Sequence, residues 1–145
     1  MRLNLQSDYA LRMLMHLAST PTRLVTIAEV ADRFRISHNH LMKVAYLLGR
    51  EGLIQTVRGR SGGLRLVGSP ANIGIGHVVR RMEGDIHIVE CFAAEPGGCM
   101  ISSACRLKGV MHEALGAFLS VLDRYTLADL VANPKLRALL NNEAA

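Results

Sequence analysis

Tryptophan is missing from this chain, and Phe and Tyr together make up only 4% of it. An aromatic-rich β-sandwich is thereby disfavoured. The 50% hydrophobic share has to come from Leu, Val, Ile, Ala and Met, the residues of a helical core. No apolar run approaches the ~20 residues needed to cross a bilayer, and no basic segment followed by an apolar stretch marks a signal peptide. A cytoplasmic location without a membrane partner is the expectation. Cysteines number three, an odd count with no Cys-x-x-Cys pair, which argues against a disulfide framework and against a paired zinc site. There is no nucleophile elbow, no phosphate-binding glycine motif ahead of a helix and no recognisable pair of catalytic carboxylates, so the sequence indicates no enzyme. His16, His77 and His87 read as packing or surface residues.

What is present is unevenly spread. The 145 residues suffice for one core with an appendage rather than two ordinary domains. The net charge is +5, yet residues 1–67 carry ten Lys/Arg against four Asp/Glu, while residues 68–145 carry seven against eight. A basic half joined to a nearly neutral one suits a module that neutralises phosphates, coupled to one that senses or dimerises. A merely solvated basic surface is the alternative, and motif placement has to decide between them.

Ser7 to Ser19 reads as a helix with Ser7 as N-cap and Asp8 in its first turn, stopped by Thr20-Pro21. Thr26 and Glu29 have capping-box spacing and open a short helix over 27–34. Ser37 caps a third helix that runs to about Arg50. The period then becomes strand-like over 53–57 and 64–67, around a basic, glycine-rich tip from Arg58 to Gly63. Order and spacing describe a helix-turn-helix followed by a wing. The second helix of such a unit enters the major groove by its N-terminal residues, here Ser37, His38, Asn39, His40 and Lys43. Arg58, Arg60, Ser61 and Gly62 at the hairpin tip suit a phosphate or the minor groove. Each signal alone is weak; their conjunction in the basic half points to double-stranded DNA.

A further amphipathic helix covers 73–82 and ends at Gly84. Residues 85–105 read as a loop with Pro96-Gly97-Gly98 and all three cysteines, Cys91, Cys99 and Cys105. Loop-borne thiolates at this wider spacing are compatible with an iron–sulfur cluster that takes a fourth ligand from elsewhere; three apolar cysteines without metal are the alternative. A long helix from about Arg106 to Tyr125 carries Val110, Met111, Leu115, Phe118, Val121 and Leu122, more apolar surface than the remaining chain can cover. A homodimer is the expected cover. The fold class is therefore mainly α: a winged helix-turn-helix with a small β-hairpin wing, a cysteine-bearing loop and a long dimerisation helix. The expected organisation is a DNA-binding domain over 1–68, a linker helix over 69–84, a cluster-binding loop over 85–105, a dimerisation helix over 106–130 and a tail over 131–145.

The stretches Ser7-Asp-Tyr-Ala-Leu-Arg12, Val57-Arg-Gly-Arg-Ser-Gly-Gly63 and Met82-Glu-Gly84, together with the three cysteines, resemble the Rrf family of winged-helix transcription regulators, and most closely its nitric-oxide-sensitive repressors. The resemblance covers nearly the whole chain and fades after about Leu130. It implies that Cys91, Cys99 and Cys105 hold an iron–sulfur cluster, 4Fe–4S ranked ahead of 2Fe–2S, and that Asp8 of the partner subunit supplies the fourth ligand. From the residues alone, Asp8 is an ordinary first-turn acid favoured by the helix dipole. Family members that sense cluster supply carry a histidine three residues after the last cysteine; Lys108 stands there, and His112 reads as a helix-surface residue. The implied function is a repressor on a palindromic operator, controlled by nitric oxide acting on the cluster. A regulator of iron or cluster availability is the nearest alternative, and an iron–sulfur electron carrier, which leaves the basic hairpin unexplained, is the alternative from another class.

Overall fold

The computed structural model describes residues 2–93 and 99–141. In chain order it has α1 (Leu5–Ser19), α2 (Ile27–Phe34), α3 (His38–Arg50), β1 (Ile54–Val57), β2 (Gly63–Leu66), α4 (Ile75–Glu83), α5 (Arg106–Leu122), α6 (Leu127–Leu130) and α7 (Pro134–Asn141), with 3-10 turns at Pro70–Asn72 and Glu90–Phe92. The chain is mainly helical, and its winged helix-turn-helix lies where the sequence indicated. Among the described residues no helix is long and apolar enough to cross a membrane.

One core serves the head. Ala10, Met13, Leu14 and Leu17 of α1 face Leu41, Val44, Ala45 and Leu48 of α3, at the three-and-four spacing of a helical stripe. Val30 of α2, Ile54 and Leu64 of the wing strands, Val78 and Met82 of α4, and Leu127 of α6 join it. Burying one such Leu or Val contributes about 1.5–3 kcal/mol, so this shared interior holds α3 to its supports. The strands are antiparallel in the register Ile54↔Leu66 to Val57↔Gly63. Val25 adds an isolated bridge to the outer side of Leu64, with N–H···O bonds of 3.0 and 2.7 Å. That bridge explains Gly63, where a Cβ would stand 2.9 Å from the Val25 carbonyl oxygen.

Several ends and caps differ from the sequence reading, and the helix expected over 73–82 runs over Ile75–Glu83. Helix α1 starts two residues before Ser7, and its cap is Asn4, whose Oδ1 accepts from the Ser7 amide at 2.7 Å; Ser7 itself is buried. At α3, Ser37 occupies the N-cap position, but its side chain makes no capping bond. The long helix ends at Leu122 rather than Tyr125, because Thr126 and Asp129 form a capping box that begins α6. The expected tail is in part a helix. Leu140 of α7 is buried, and Asn141 Nδ2 donates to the Ser19 carbonyl at 3.0 Å. Pro96-Gly97-Gly98, on which the loop reading leaned, lies outside the described residues.

Candidate functional site

The head presents its polar groups on one helix start and one hairpin tip. Ser37, His38, Asn39, His40 and Lys43 are all exposed, as are Arg58, Arg60 and Ser61, while Gly62 is half-buried. Arg35 lets α3 follow α2 at once by taking a left-handed conformation, φ 54°, which costs a non-glycine residue about 1–2 kcal/mol. The Ile36 amide is then free to bond the Ala31 carbonyl at 3.1 Å. At the wing tip, the Gly62 amide bonds the Gly59 carbonyl at 3.0 Å, and a Cβ on Gly62 would stand 2.3 Å from the Val57 carbonyl oxygen. The turn is thus closed by backbone alone. His40 also stacks obliquely on Tyr9, ring centroids 6.0 Å apart, which ties the start of α3 to α1.

Behind this surface lies a polar cluster that sequence reading passed over. His16 is fully buried on α1, its Nε2 is 3.3 Å from Glu29 Oε1 on α2, and Arg23 grips the same carboxylate at 2.5 and 2.9 Å. Because Nε2 faces the carboxylate, the neutral ring carries its proton there, and Nδ1 is left without a hydrogen-bond partner among the described residues. Burial pushes His16 below the usual imidazole range, against the opposing pull of Glu29. Arg23, and then His16, bring the Glu29 carboxyl down to about 2. So Glu29 does not close the capping box; Thr26 Oγ1 accepts from the Glu29 amide at 3.1 Å, while the carboxylate binds α2 to α1 instead.

The three cysteines border a common space. Cys91 and Cys105 are half-buried, Cys99 is exposed, and all are free thiols. They line one cavity of about 200 Å³, together with Val89, Glu90, Ile101 and Met111. Cys91 and Cys105 also border a larger cavity of about 800 Å³ that takes in His87, Lys108 and His112. Among the described residues no three His, Cys, Asp or Glu side chains converge as ligands of one metal ion. Thiolate is the donor type that iron–sulfur clusters take, so the chemistry of the three side chains, rather than a preformed ligand geometry, is what fits such a group. Asp8 lines neither cavity of its own chain. Its carboxylate is half-exposed and paired with Arg12 at 2.8 Å. His112, expected on the helix surface, is exposed but packs edge-on to Phe92 at 5.6 Å. The signal that places Lys108 and His112 beside Cys105 was present in the sequence as spacings of three and seven on one helix.

Helix α5, which follows Cys105, contains no buried residue. Leu107, Val110 and Val121 are 60%, 51% and 44% exposed, and its main neighbour is α4. There Arg80 holds Asp123 with two 2.6 Å bonds.

The family model described as Rrf2, iron-dependent transcriptional regulator, matches residues 3–133. The chain is 51% identical over 142 residues to the HTH-type transcriptional regulator NsrR of Shouchella clausii, covering 97% of this chain and 95% of that protein. It is 52% identical over 134 residues to NsrR of Bacillus subtilis, covering 92% of each. Among solved structures, CymR, the global cysteine regulator of B. subtilis, superposes with a TM-score of 0.69 at 26% identity, covering 91% of this chain and 97% of that one. IscR of T. potens, at 23% identity and a TM-score of 0.73 over all of this chain and 93% of the other, shares the fold.

Proposed function

Since the chain belongs to the Rrf2 family of transcriptional regulators, we propose that it is a dimeric repressor whose grip on a palindromic DNA operator is set by an iron–sulfur cluster on Cys91, Cys99 and Cys105, with Asp8 of the partner subunit as fourth ligand. The observation that carries this reading is that the three free cysteines line one cavity beside a helix with no buried residue. When bound, the cluster supplies thiolate-held iron that nitric oxide can attack.

The chain's own residues do the rest. Asn39 offers a two-point pair to an adenine edge, and His38, His40 and Lys43 donate to bases or phosphates from the start of α3. Ser37, free of capping duty, keeps its hydroxyl for a phosphate. Arg58 and Arg60 neutralise phosphates beside the groove, with Ser61 and Gly62 between them and the strand. Helix α5 pairs with its copy through Val110, Val121 and their neighbours, which covers the exposed stripe twice. The two reading helices are thereby set one helical turn of DNA apart. In this dimer Asp8, now paired with Arg12, would be the residue that holds the partner subunit's cluster by an oxygen, the donor least suited to iron held by thiolates.

The organisation that follows is a reading head over 1–68, a linker over 69–84, a ligand loop over 85–105 and a dimer helix beyond it. The test is iron and sulfide per chain on protein kept from oxygen, followed by nitric-oxide titration of operator binding. Near-stoichiometric cluster and a fall in affinity with nitric oxide support the reading; unchanged affinity of loaded protein overturns the nitric-oxide step. The family description as iron-dependent favours one second reading, sensing of iron supply, in which removing the cluster alone changes repression.

A further inference from the structure

The sequence singles out Met82-Glu83-Gly84, and neither reading of DNA nor holding of iron uses it. Helix α4 ends at Glu83, and Gly84 leaves it with φ +66° and ψ −128°, a conformation that an L side chain rarely adopts. A Cβ there would meet nothing within 4 Å, so the backbone angle, not space, calls for glycine. Here the chain departs into the cysteine loop.

The residue before this exit holds the far end of the head. Glu83 Oε1 accepts the Asn4 amide at 2.8 Å and the hydroxyl of buried Ser7. Asn4 Nδ2 donates back to the Met82 carbonyl at 3.1 Å. The same Asn4 caps α1 through the Ser7 amide, and its carbonyl accepts the Asp8 amide at 3.2 Å. The first turn of α1 is thus assembled on the last turn of α4, with a carboxylate where the helix dipole favours one. Asp8 projects from that turn. Glu83 also borders a cavity of about 530 Å³ with Arg2, Asp85 and Phe118, which none of the cysteines line, and its Oε1 is already committed to two donors.

We propose that Glu83 is a positioning residue that clamps the first turn of α1, and with it Asp8, to the point where the cysteine loop leaves α4. Under the proposed function, on which this consequence rests, the clamp makes loop and reading head move as one body, so that a change at the cluster reaches α3.

The test uses the full chain as Glu83→Ala and Glu83→Gln. On iron-free protein, amide hydrogen exchange at Asn4, Ser7, Asp8 and Gly84 should quicken by about tenfold or more in Glu83→Ala, with the amides of α3 unchanged. Glu83→Gln, which keeps an acceptor oxygen, should restore much of the protection. On loaded protein, iron per chain should stay at the wild-type level while the ratio of loaded to iron-free operator affinity falls toward one. A Ser7, Asp8 and Gly84 exchange pattern like wild type in both variants overturns the clamp. A wild-type affinity ratio in Glu83→Ala overturns its coupling role. A wild-type chain whose operator affinity ignores iron removes the proposed function instead, and exchange alone then judges the clamp.

Discussion

The head and the cysteine-bearing half are built by different rules. From α1 to α4 every helix turns a buried face inward, and fully buried Met13, Leu14, Leu41, Leu48 and Val78 meet in one interior. From Ile86 to Leu122 no residue among those described is buried, and Met100 and Ile101 stand 95% and 64% exposed. The interior of the head also takes in Leu127 of α6, and α7 closes on the end of α1. The stretch from Ile86 to Leu122 has no such cover among the described residues, and under the proposed function a second copy of α5 supplies it. Helix α4 lies between the two: Glu51–Arg81 ties it to the end of α3, Arg80–Asp123 ties it to the end of α5, and Glu83 ties it to the start of α1.

The contrast breaks most sharply under paired substitutions. Leu14→Ala, in the closed half, should cost about 2–5 kcal/mol of unfolding free energy through the cavity it leaves, read by chemical denaturation. Val110→Asp, on the open helix, should leave the helical circular dichroism of the chain intact and convert dimer to monomer in sedimentation. Equal losses of stability from both would erase the distinction. A middle-sized effect belongs to the wing. Replacing Arg58 and Arg60 together by Ala should weaken operator binding and lower the slope of log affinity against log salt by about one for each phosphate left without its guanidinium. An unchanged slope would mean that the wing does not touch phosphate.

The smallest effect separates the head by its proton chemistry. Glu29 titrates at about 2 in the folded chain against an ordinary 4.5, so its contribution is whole above about 4.5 and is lost as pH falls toward 2. His16 is held below its ordinary 6.5; the unfolded chain binds its proton first, and stability declines as pH drops beneath 6.5. Glu29→Gln should flatten the acid limb between about 4.5 and 2, seen in denaturation midpoints across pH, and should leave dimerisation unaltered.

Much of the head was legible in the chain itself. Thr26 before an amphipathic octet, a glycine-rich basic tip between two short strands, and Gly84 after Met82 are local signals, and each marks its element to within a residue or two. Asn4 was missed because Ser7-Asp8 gives an equally good local start, and the choice between the two caps is made by Glu83, 79 residues away. His16 and Glu29 gave no local hint of meeting, since helix spacing places them on separate elements. At the cysteines, residue type and spacing pointed to the ligand chemistry; that all three line one cavity, with Lys108 and His112 near two of them, depends on how the loop folds back on α5.

Element type, the order of helix, turn, helix and wing, the basic half and the three thiols follow from the sequence, because period, caps and charge act between near neighbours. Other features belong to the tertiary structure alone: the bridge from Val25 to the wing, α7 closing on Ser19, the Glu83 junction and the bareness of α5. They depend on contacts up to 122 residues apart, whose outcome is settled by competition among packed faces and not by any one segment's preference.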